Sequence, residues 1–406
     1  MKILFINHFP LTGSGSGVYT VNLARSLTRL GHECAIVYPE NEFYYDEYYK
    51  IKQYPVFFNG MNDGLKFNFP CFTTHPRSSF NFKDMSDIEK DTYGMAFVDK
   101  VLDVLTEFKP DVVHSQHLWT LSGVAANICE TYKIPLIVTC HGTDIIGIKD
   151  EEKRNDLWGT VFAKKAYDYA TNIITISKDN KKLLEEIFGK NDKVLYIKNG
   201  VDEQTFHKDD SISKEEVLKE LKVDNEYKNI ISFVGKLTHI KGVDTLLKAL
   251  SIIRDNSILT LIAGDGELRK ELENKAKELK LNNIVFLGNL PQDELNRIYN
   301  IVDLSVVPSR SEAFGLVAAE ANMCGAPVVA TNVGGLPEIV TRDKGLIIDV
   351  DDERNLANSI NYILNNKNRY NRDNIAKDTK QKYSQETITK KVEKIYKNNN
   401  PRKKDL

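Results

Sequence analysis

Short, unbroken apolar runs alternate with segments in which apolar residues recur every three or four positions, almost from one end of the chain to the other. The first kind suits strands buried on both faces, and the second suits amphipathic helices. The rhythm predicts an α/β fold with parallel sheets covered by helices on both faces, a doubly wound, Rossmann-like arrangement. Residues 2–6 make the first run, and a glycine-rich turn follows at 13–17. Val18, Val21, Ala24, Leu27 and Leu30 then fall at helical spacing until Gly31 ends the helix. Further strands are expected at 35–38, 112–114, 136–139, 173–176 and 194–197.

At 198–210 the rhythm breaks: the turn dipeptide Asn199-Gly200 leads into a polar, acidic stretch. It restarts with strands expected at 230–234, 259–263, 284–287, 304–307 and 327–330, each followed by a turn and most by a helix. The division expected is a first domain over 1–198, a second over 199–382, and a closing segment over 383–406. In that segment Ser384 is a suitable N-cap, Ile388, Val392 and Ile395 form an apolar stripe that should dock, and a polar basic tail follows. One stretch, from about 40 to 91, departs from the pattern. It is long, irregular and aromatic, with Phe43, Tyr44, Tyr45, Tyr48, Tyr49, Phe57, Phe58 and Phe80. The expectation is an insertion that shapes a substrate site; the alternatives are a cap on a sheet edge or a subunit contact.

A length of 406 residues agrees with two domains of about 150 residues or more. Lys plus Arg number 55 against 57 Asp plus Glu, a formal charge of -2. No whole-chain field therefore selects nucleic acid, and any site must be built locally. No run approaches the ~20 apolar residues of a membrane span, and the opening run reads as a strand and not a leader, so a cytoplasmic protein is expected. The basic tail at 398–404 offers at most weak peripheral contact with a membrane. The five cysteines are scattered without CxxC spacing, which points to reduced core thiols and not to a disulfide framework or zinc site. The pattern leaves the oligomeric state open.

Ligands of doubly wound sheets bind beyond the carboxyl ends of the strands, so two such domains would place their strand-end loops toward a common cleft. In the second domain the richest of these loops is Pro308-Ser-Arg-Ser-Glu-Ala-Phe-Gly315, with a helix opening at Leu316. The N–H groups of Phe314, Gly315 and Leu316 would form a cradle for phosphate. Glu312 in the loop and Glu320, eight residues on, suit two clusters of sugar hydroxyls. After the strand ending at Val234, Gly235-Lys236-Leu-Thr-His-Ile-Lys241-Gly242 offers two lysines for a diphosphate, in an order that fails the P-loop pattern. In the first domain, residues 12–17 open a helix, and GxGxxG from Gly13 fails at Val18, although Glu40 stands where a ribose-binding acid would be expected. A nicotinamide enzyme is therefore the weaker reading. His141-Gly-Thr-Asp144 sets an imidazole and a carboxylate at a strand end. His114, His117 and His141 lack a fourth ligand at suitable spacing, so no metal is expected.

Taken together, Ser311-Glu312-Ala-Phe-Gly-Leu with Glu320, Gly325-Ala-Pro-Val-Val-Ala, and Gly334-Gly-Leu-Pro-Glu338 resemble the signature of the retaining, nucleotide-sugar-dependent family-four glycosyltransferases of GT-B fold. Asn199-Gly-Val-Asp202, Phe233-Val-Gly-Lys with Lys241-Gly242, and Gly264-Asp-Gly-Glu267 stand in the family's order, so the resemblance covers nearly the whole chain. It implies two Rossmann-like domains facing across a cleft, with the final helix crossing back to the first. It also implies a donor site in which Glu312, Phe314, Gly315 and Leu316 meet the sugar and diphosphate and Glu320 holds the ribose. Lys236 and Lys241 would neutralise the diphosphate, although the family usually has Arg where Lys236 stands. Asn289 and Leu290 would meet the base, His141 would face both donor sugar and acceptor, and Gly17 would permit close approach of the first domain. Ser16 and Asp144 fall on the acceptor side, and His75 with Arg77 would suit an anionic acceptor, a carboxylate or phosphate. The implied reaction moves a hexose or N-acetylhexosamine from a nucleoside diphosphate, uridine diphosphate first among them, to a hydroxyl. It is a front-side transfer with retention, with no metal and no cofactor beyond the donor. The competing functions are epimerisation or hydrolysis of a nucleotide sugar, and nucleotide-sugar binding without turnover.

Overall fold

The computed structural model describes residues 1–42, 50–72, 75–149, 157–223 and 226–400. The chain divides into two compact units, one comprising Met1–Gly200 with the segment that begins at Gln385, the other Val201–Ser384. Phe43, Tyr44, Tyr45, Tyr48, Tyr49, Thr73 and Thr74, and the basic end of the tail beyond 400, lie outside the described residues.

In the first unit the strands β1 (Lys2–Ile6), β2 (Glu33–Glu40), β3 (Lys52–Phe57), β4 (Val112–Gln116), β5 (Leu136–Cys140), β6 (Asn172–Thr175) and β7 (Val194–Tyr196) form a parallel sheet in the order 3-2-1-4-5-6-7. Alternation along the strands feeds two cores. Leu4, Ile6, Val37, Val113 and Val138 enter one, whereas Ile3, Phe5, Ile36, Val112 and Ile137 enter the other. Two buried faces explain the unbroken apolar runs, since successive side chains point to opposite faces and neither face meets water.

The structure gives two features of this unit in more detail than the sequence. The helix α1 (Gly15–Arg29) begins inside the glycine-rich segment, because the Ser14 side chain accepts from Gly17 N at 3.0 Å and so caps the first turn. The described part of the 40–91 segment is mostly scaffold: β3 extends the sheet beyond β2, and Phe58, Phe69 and Phe82 are buried in the core. The helix α2 (Asp87–Phe108) then starts at a Ser86–Glu89 capping box. The helices α3 (Thr120–Tyr132), α4 (Thr143–Lys149), α5 (Leu157–Tyr169) and α6 (Lys178–Phe188) complete the crossovers.

In the second unit α7 (Lys214–Glu220), β8 (Asn229–Val234), α8 (Val243–Ile253), β9 (Ile258–Ala263), α9 (Arg269–Glu278), β10 (Ile284–Gly288), α10 (Gln292–Ile301) and β11 (Leu304–Val307) come first. They are followed by α11 (Leu316–Met323), β12 (Val328–Thr331), α12 (Leu336–Ile339), β13 (Gly345–Ile348), α13 (Glu353–Asn365) and α14 (Arg372–Tyr383). The sheet order is 10-9-8-11-12-13. The edge strand β13 is absent from the sequence expectation: a four-residue run beside a single partner carries too little pattern to be separated from a loop. The last helix, α15 (Gln385–Asn399), belongs to the first unit. Its Ile388, Val392, Ile395 and Tyr396 pack with Leu23, Ala24 and Leu27 of α1 in one core. His32 Nε2 lies 2.8 Å from Glu393 Oε1, and Tyr396 Oη lies 2.5 Å from His114 Nδ1. Among the described residues no helix is long and apolar enough to cross a membrane.

Candidate active site

In the second unit the strand-end loops of the neighbouring strands β8 and β11 touch through their backbones. A Cβ on Gly242, at φ +66°, would stand 2.0 Å from the Pro308 carbonyl oxygen, so no larger residue permits this approach. The contact brings together two of the residues singled out above: Lys241 Nζ lies 2.5 Å from Glu312 Oε2. Neither group is fully hidden, with the lysine side chain 27% and the glutamate 15% exposed. A third loop closes on the same place, since a Cβ on Gly334, at φ +53°, would fall 1.5 Å from the Glu312 carbonyl oxygen. Gly315, at φ +99°, ends the loop and opens α11 with no side-chain cap, so the first N–H groups of that helix are not answered by a capping side chain. The Phe314 ring is buried and tilted toward Tyr383 at 6.2 Å, which leaves the Phe314 backbone as the part able to meet a ligand.

Glu320 lies further along α11. The residue is half-buried, yet its carboxyl is desolvated, and burial pushes its pKa up to about 7 with the Tyr299 hydroxyl facing it. Lys236 stands exposed at the start of the β8 loop. Asn289 and Leu290 follow β10, where Gly264 N donates to Gly288 O at 2.7 Å and a Cβ on Gly264 would lie 1.9 Å from the Gly235 carbonyl oxygen. The ends of β8, β9 and β10 thus converge through glycine backbone.

In the first unit, His141 directly follows β5, 9% exposed, with Nε2 2.9 Å from Gln116 Oε1. Its ring lies edge-on to Tyr19 at 5.1 Å and 4.8 Å from that of His117. Burial lowers its pKa to about 3, so it is neutral at physiological pH. Gly17 has a local reason to be glycine: a Cβ there would stand 2.5 Å from the Pro10 carbonyl oxygen. Ser16 is buried beside it, with its hydroxyl 3.4 Å from that of Ser14.

Two residues expected on the acceptor side have partners within their own chain. Asp144 is a loop clamp: its carboxyl accepts from Leu118 N at 2.7 Å, Gly142 N at 2.9 Å and His141 N at 3.2 Å, which occupies both oxygens and ties the ends of β4 and β5 together. Arg77 is turned onto carboxylates of its own chain, with Nη1 donating to Glu40 Oε1 at 2.6 Å and Glu42 Oε2 at 3.3 Å. Glu40 is the buried partner of that pair, and the contact engages Nη1 alone, leaving Nε and Nη2 of Arg77 and Oε2 of Glu40 without hydrogen-bond partners. His75 is buried against Phe69 and Phe9, with Nδ1 accepting from Arg77 N at 3.2 Å.

In sequence His117 suggests at most a metal ligand, and its setting gives it another importance. It sits at φ +67° after β4, its buried Nδ1 has no hydrogen-bond partner, and its ring is edge-on to Phe9 at 5.0 Å. Left-handed backbone at a bulky residue and an unanswered buried nitrogen set it apart from an ordinary core histidine. The sole signal in sequence is a histidine directly after a strand. Neighbouring His8 donates through Nδ1 to Gln116 O at 2.6 Å and accepts the Leu121 N–H at Nε2, 3.0 Å away, which fixes a neutral tautomer. Among the described residues no group of three or more His, Cys, Asp or Glu side chains is arranged to hold a metal ion.

The family described as Glycosyltransferase Family 4 matches residues 13–205, and that described as Glycosyl transferases group 1 matches residues 214–382. The uncharacterized glycosyltransferase MJ1607 of Methanocaldococcus jannaschii is 30% identical over 362 residues, covering 84% of this chain and 83% of its own. The chain belongs to the group 1 glycosyltransferases. A D-inositol 3-phosphate glycosyltransferase of Corynebacterium aurimucosum is 26% identical to it, over 89% of this chain and 86% of that one. Among solved structures, sucrose-phosphate synthase of Thermosynechococcus elongatus superposes on this glycosyltransferase with a TM-score of 0.78 at 21% identity, covering 98% of both chains. Anabaena HepE, solved with UDP and glucose, superposes with a TM-score of 0.75 at 20% identity, over 98% of this chain and 100% of that one. These likenesses show the GT-B fold of two Rossmann-like domains.

Proposed function

We propose that this glycosyltransferase moves a hexose or N-acetylhexosamine from a nucleoside diphosphate sugar, with uridine diphosphate as carrier, to a hydroxyl acceptor with retention at the anomeric carbon. The observation that carries the reading is the Lys241–Glu312 pair held between two strand-end loops beside the uncapped start of α11. A donor satisfies both partners at once, offering phosphate to the amine and a sugar hydroxyl to the carboxylate. The helix N–H groups add anion binding, and Glu320, deeper along α11, suits the ribose hydroxyls. The UDP complex of a structural neighbour supports the choice of uridine diphosphate. Five buried free cysteines suit the reducing cytoplasm as the place of action.

The bond from anomeric carbon to diphosphate oxygen breaks with its electron pair leaving on the diphosphate. The acceptor oxygen bonds from the same face, and its proton passes to that departing oxygen. Lys241, Lys236 and the α11 N–H groups stabilise the growing negative charge, so neither a metal nor a protein nucleophile is required. His141, kept neutral by burial, holds a hydroxyl by hydrogen bonding and does not take up the proton.

The test is thermal stabilisation of the protein by a panel of nucleoside diphosphates and their sugars, since a ligand that binds only the native state raises apparent stability. Stabilisation by one nucleotide sugar above its bare nucleoside diphosphate is expected, followed by an α-linked product from an α-linked donor. Stabilisation by NAD or NADP alone would sink the proposal. A product formed without any acceptor would replace transfer by epimerisation or hydrolysis.

A further inference from the structure

We infer that Arg310 is a positioning residue that holds the Lys241 and Glu312 loops in one register. The inference rests on the reading of those two residues as donor-contacting groups, and it concerns a side chain that touches neither. Arg310 N donates to Ile240 O at 2.7 Å, so its backbone joins the two loops one residue from Lys241 and two from Glu312. Its guanidinium then reaches back along the β8 loop. Nη1 donates to His239 O at 2.6 Å and to Asp244 Oδ1 at 2.9 Å, and Nη2 to Asp244 Oδ2 at 2.8 Å, a two-pronged grip on the first turn of α8. A third strand end is tied in as well. Nε donates to Asp351 Oδ2 at 3.1 Å, beyond β13, while Thr245 Oγ1 donates to Asp351 Oδ1 at 3.0 Å.

This arrangement excludes two simpler roles. Every nitrogen of the guanidinium already has an acceptor, and two carboxylates flank its single charge, so Arg310 has neither a free donor nor net charge to offer a diphosphate. Nor is it a loose surface pair: its side chain is 15% exposed, and the planar fork matches Asp244 in a way that a lysine's point charge cannot. Lysine would keep the charge and lose the position. A transition state depends on geometry to a fraction of an ångström, so a slackened register should be felt in turnover before it is felt in nucleotide affinity.

The test compares Arg310→Lys with the wild type in amide hydrogen exchange without ligand, and in kcat and KM with the nucleotide sugar selected by the stabilisation panel. The expected result is faster exchange confined to 236–242 and 308–315, with kcat reduced about 10- to 100-fold and donor KM changed less than about threefold. Methylguanidinium should restore part of the kcat of Arg310→Ala. Should either variant fail to fold, Asp351→Ala removes the Arg310 and Thr245 bonds to the residue beyond β13 while leaving the Asp244 grip, and should show the same two segments exchanging faster, to a smaller degree. Exchange in both loops and kcat equal to wild type would overturn the inference. A wild type that turns over no nucleotide sugar would instead count against the proposed function, while the exchange comparison still decides whether Arg310 couples the loops.

Discussion

Replacing Gly334 by alanine isolates the contact that fixes the Glu312 loop. The added methyl would meet the Glu312 carbonyl oxygen at 1.5 Å, where real Cβ contacts essentially never fall below 3.0 Å, so one of the two loops must retreat by about 1.5 Å. The backbone at φ +53° also strains alanine by ~1–2 kcal/mol, and the crowding adds ~1–3 kcal/mol. Gly31→Ala provides the control: it stands at φ +86° with nothing within 4 Å of the methyl that alanine would add, so it feels the left-handed strain alone. Denaturant unfolding should therefore show a loss of ~1–2 kcal/mol for Gly31→Ala and ~2–5 kcal/mol for Gly334→Ala. Activity should separate them more sharply. If Glu312 orients the donor sugar as proposed, a displacement on this scale should cost at least ~100-fold in turnover, whereas Gly31→Ala should turn over as the wild type does. Turnover of Gly334→Ala within about threefold of wild type, under conditions where both are folded, would refute the claim that this turn sets the position of Glu312.

Lys241→Ala should lower kcat by roughly 100- to 1000-fold in a steady-state transfer assay; undiminished turnover would remove the assignment of Lys241 to the diphosphate. Glu320→Gln should stabilise the protein at pH 8 and do so much less at pH 5, measured by melting temperature. Burial raises the folded-state pKa of Glu320 to about 7, above its unfolded value of about 4.3. The native state therefore holds the proton longer, and wild-type stability falls as pH rises through that window. A stabilisation independent of pH would contradict the desolvation of Glu320. Arg77→Ala should cost ~3–5 kcal/mol of stability because it leaves Glu40 buried without its cation, and acceptor KM should stay unchanged. A rise in that KM with stability intact would return Arg77 to the acceptor site.

The strands that cross the middle of each sheet were legible in sequence because both their faces are buried, and a run such as that of β8, all six residues buried with Ser232 as its one interior polar position, shows no helical spacing of polar residues. The donor-side loops were legible for a related reason. Glycine at 242, 315 and 334 answers a positive φ, joined at 242 and 334 by a backbone approach that no side chain tolerates and at 315 by the Leu336 side chain, so the spacing of these glycines records the geometry locally. The edge strands β3 and β13 were not legible, since an edge asks for little periodicity and an aromatic segment reads equally well as core or as a binding surface.

Partnership between side chains is where sequence stopped. Lys241 and Glu312 are separated by a complete turn of the fold and by the strands between them, and only the adjacency of β8 and β11 makes them a pair. The same holds for Arg77, whose type suits an anionic ligand until the fold supplies Glu40, and for Asp144, whose oxygens are consumed by N–H groups from two strand ends. His117 and Arg310 show the converse, residues that look ordinary in sequence and become constrained or pivotal once neighbours are in place. Periodicity and turn chemistry act over a few residues, so the chain alone determined its alternating elements, their sheets and the loops bearing chemistry. Charge pairing and desolvation depend on distances closed only by tertiary packing, so the structure decided which of those groups face a ligand and which face one another.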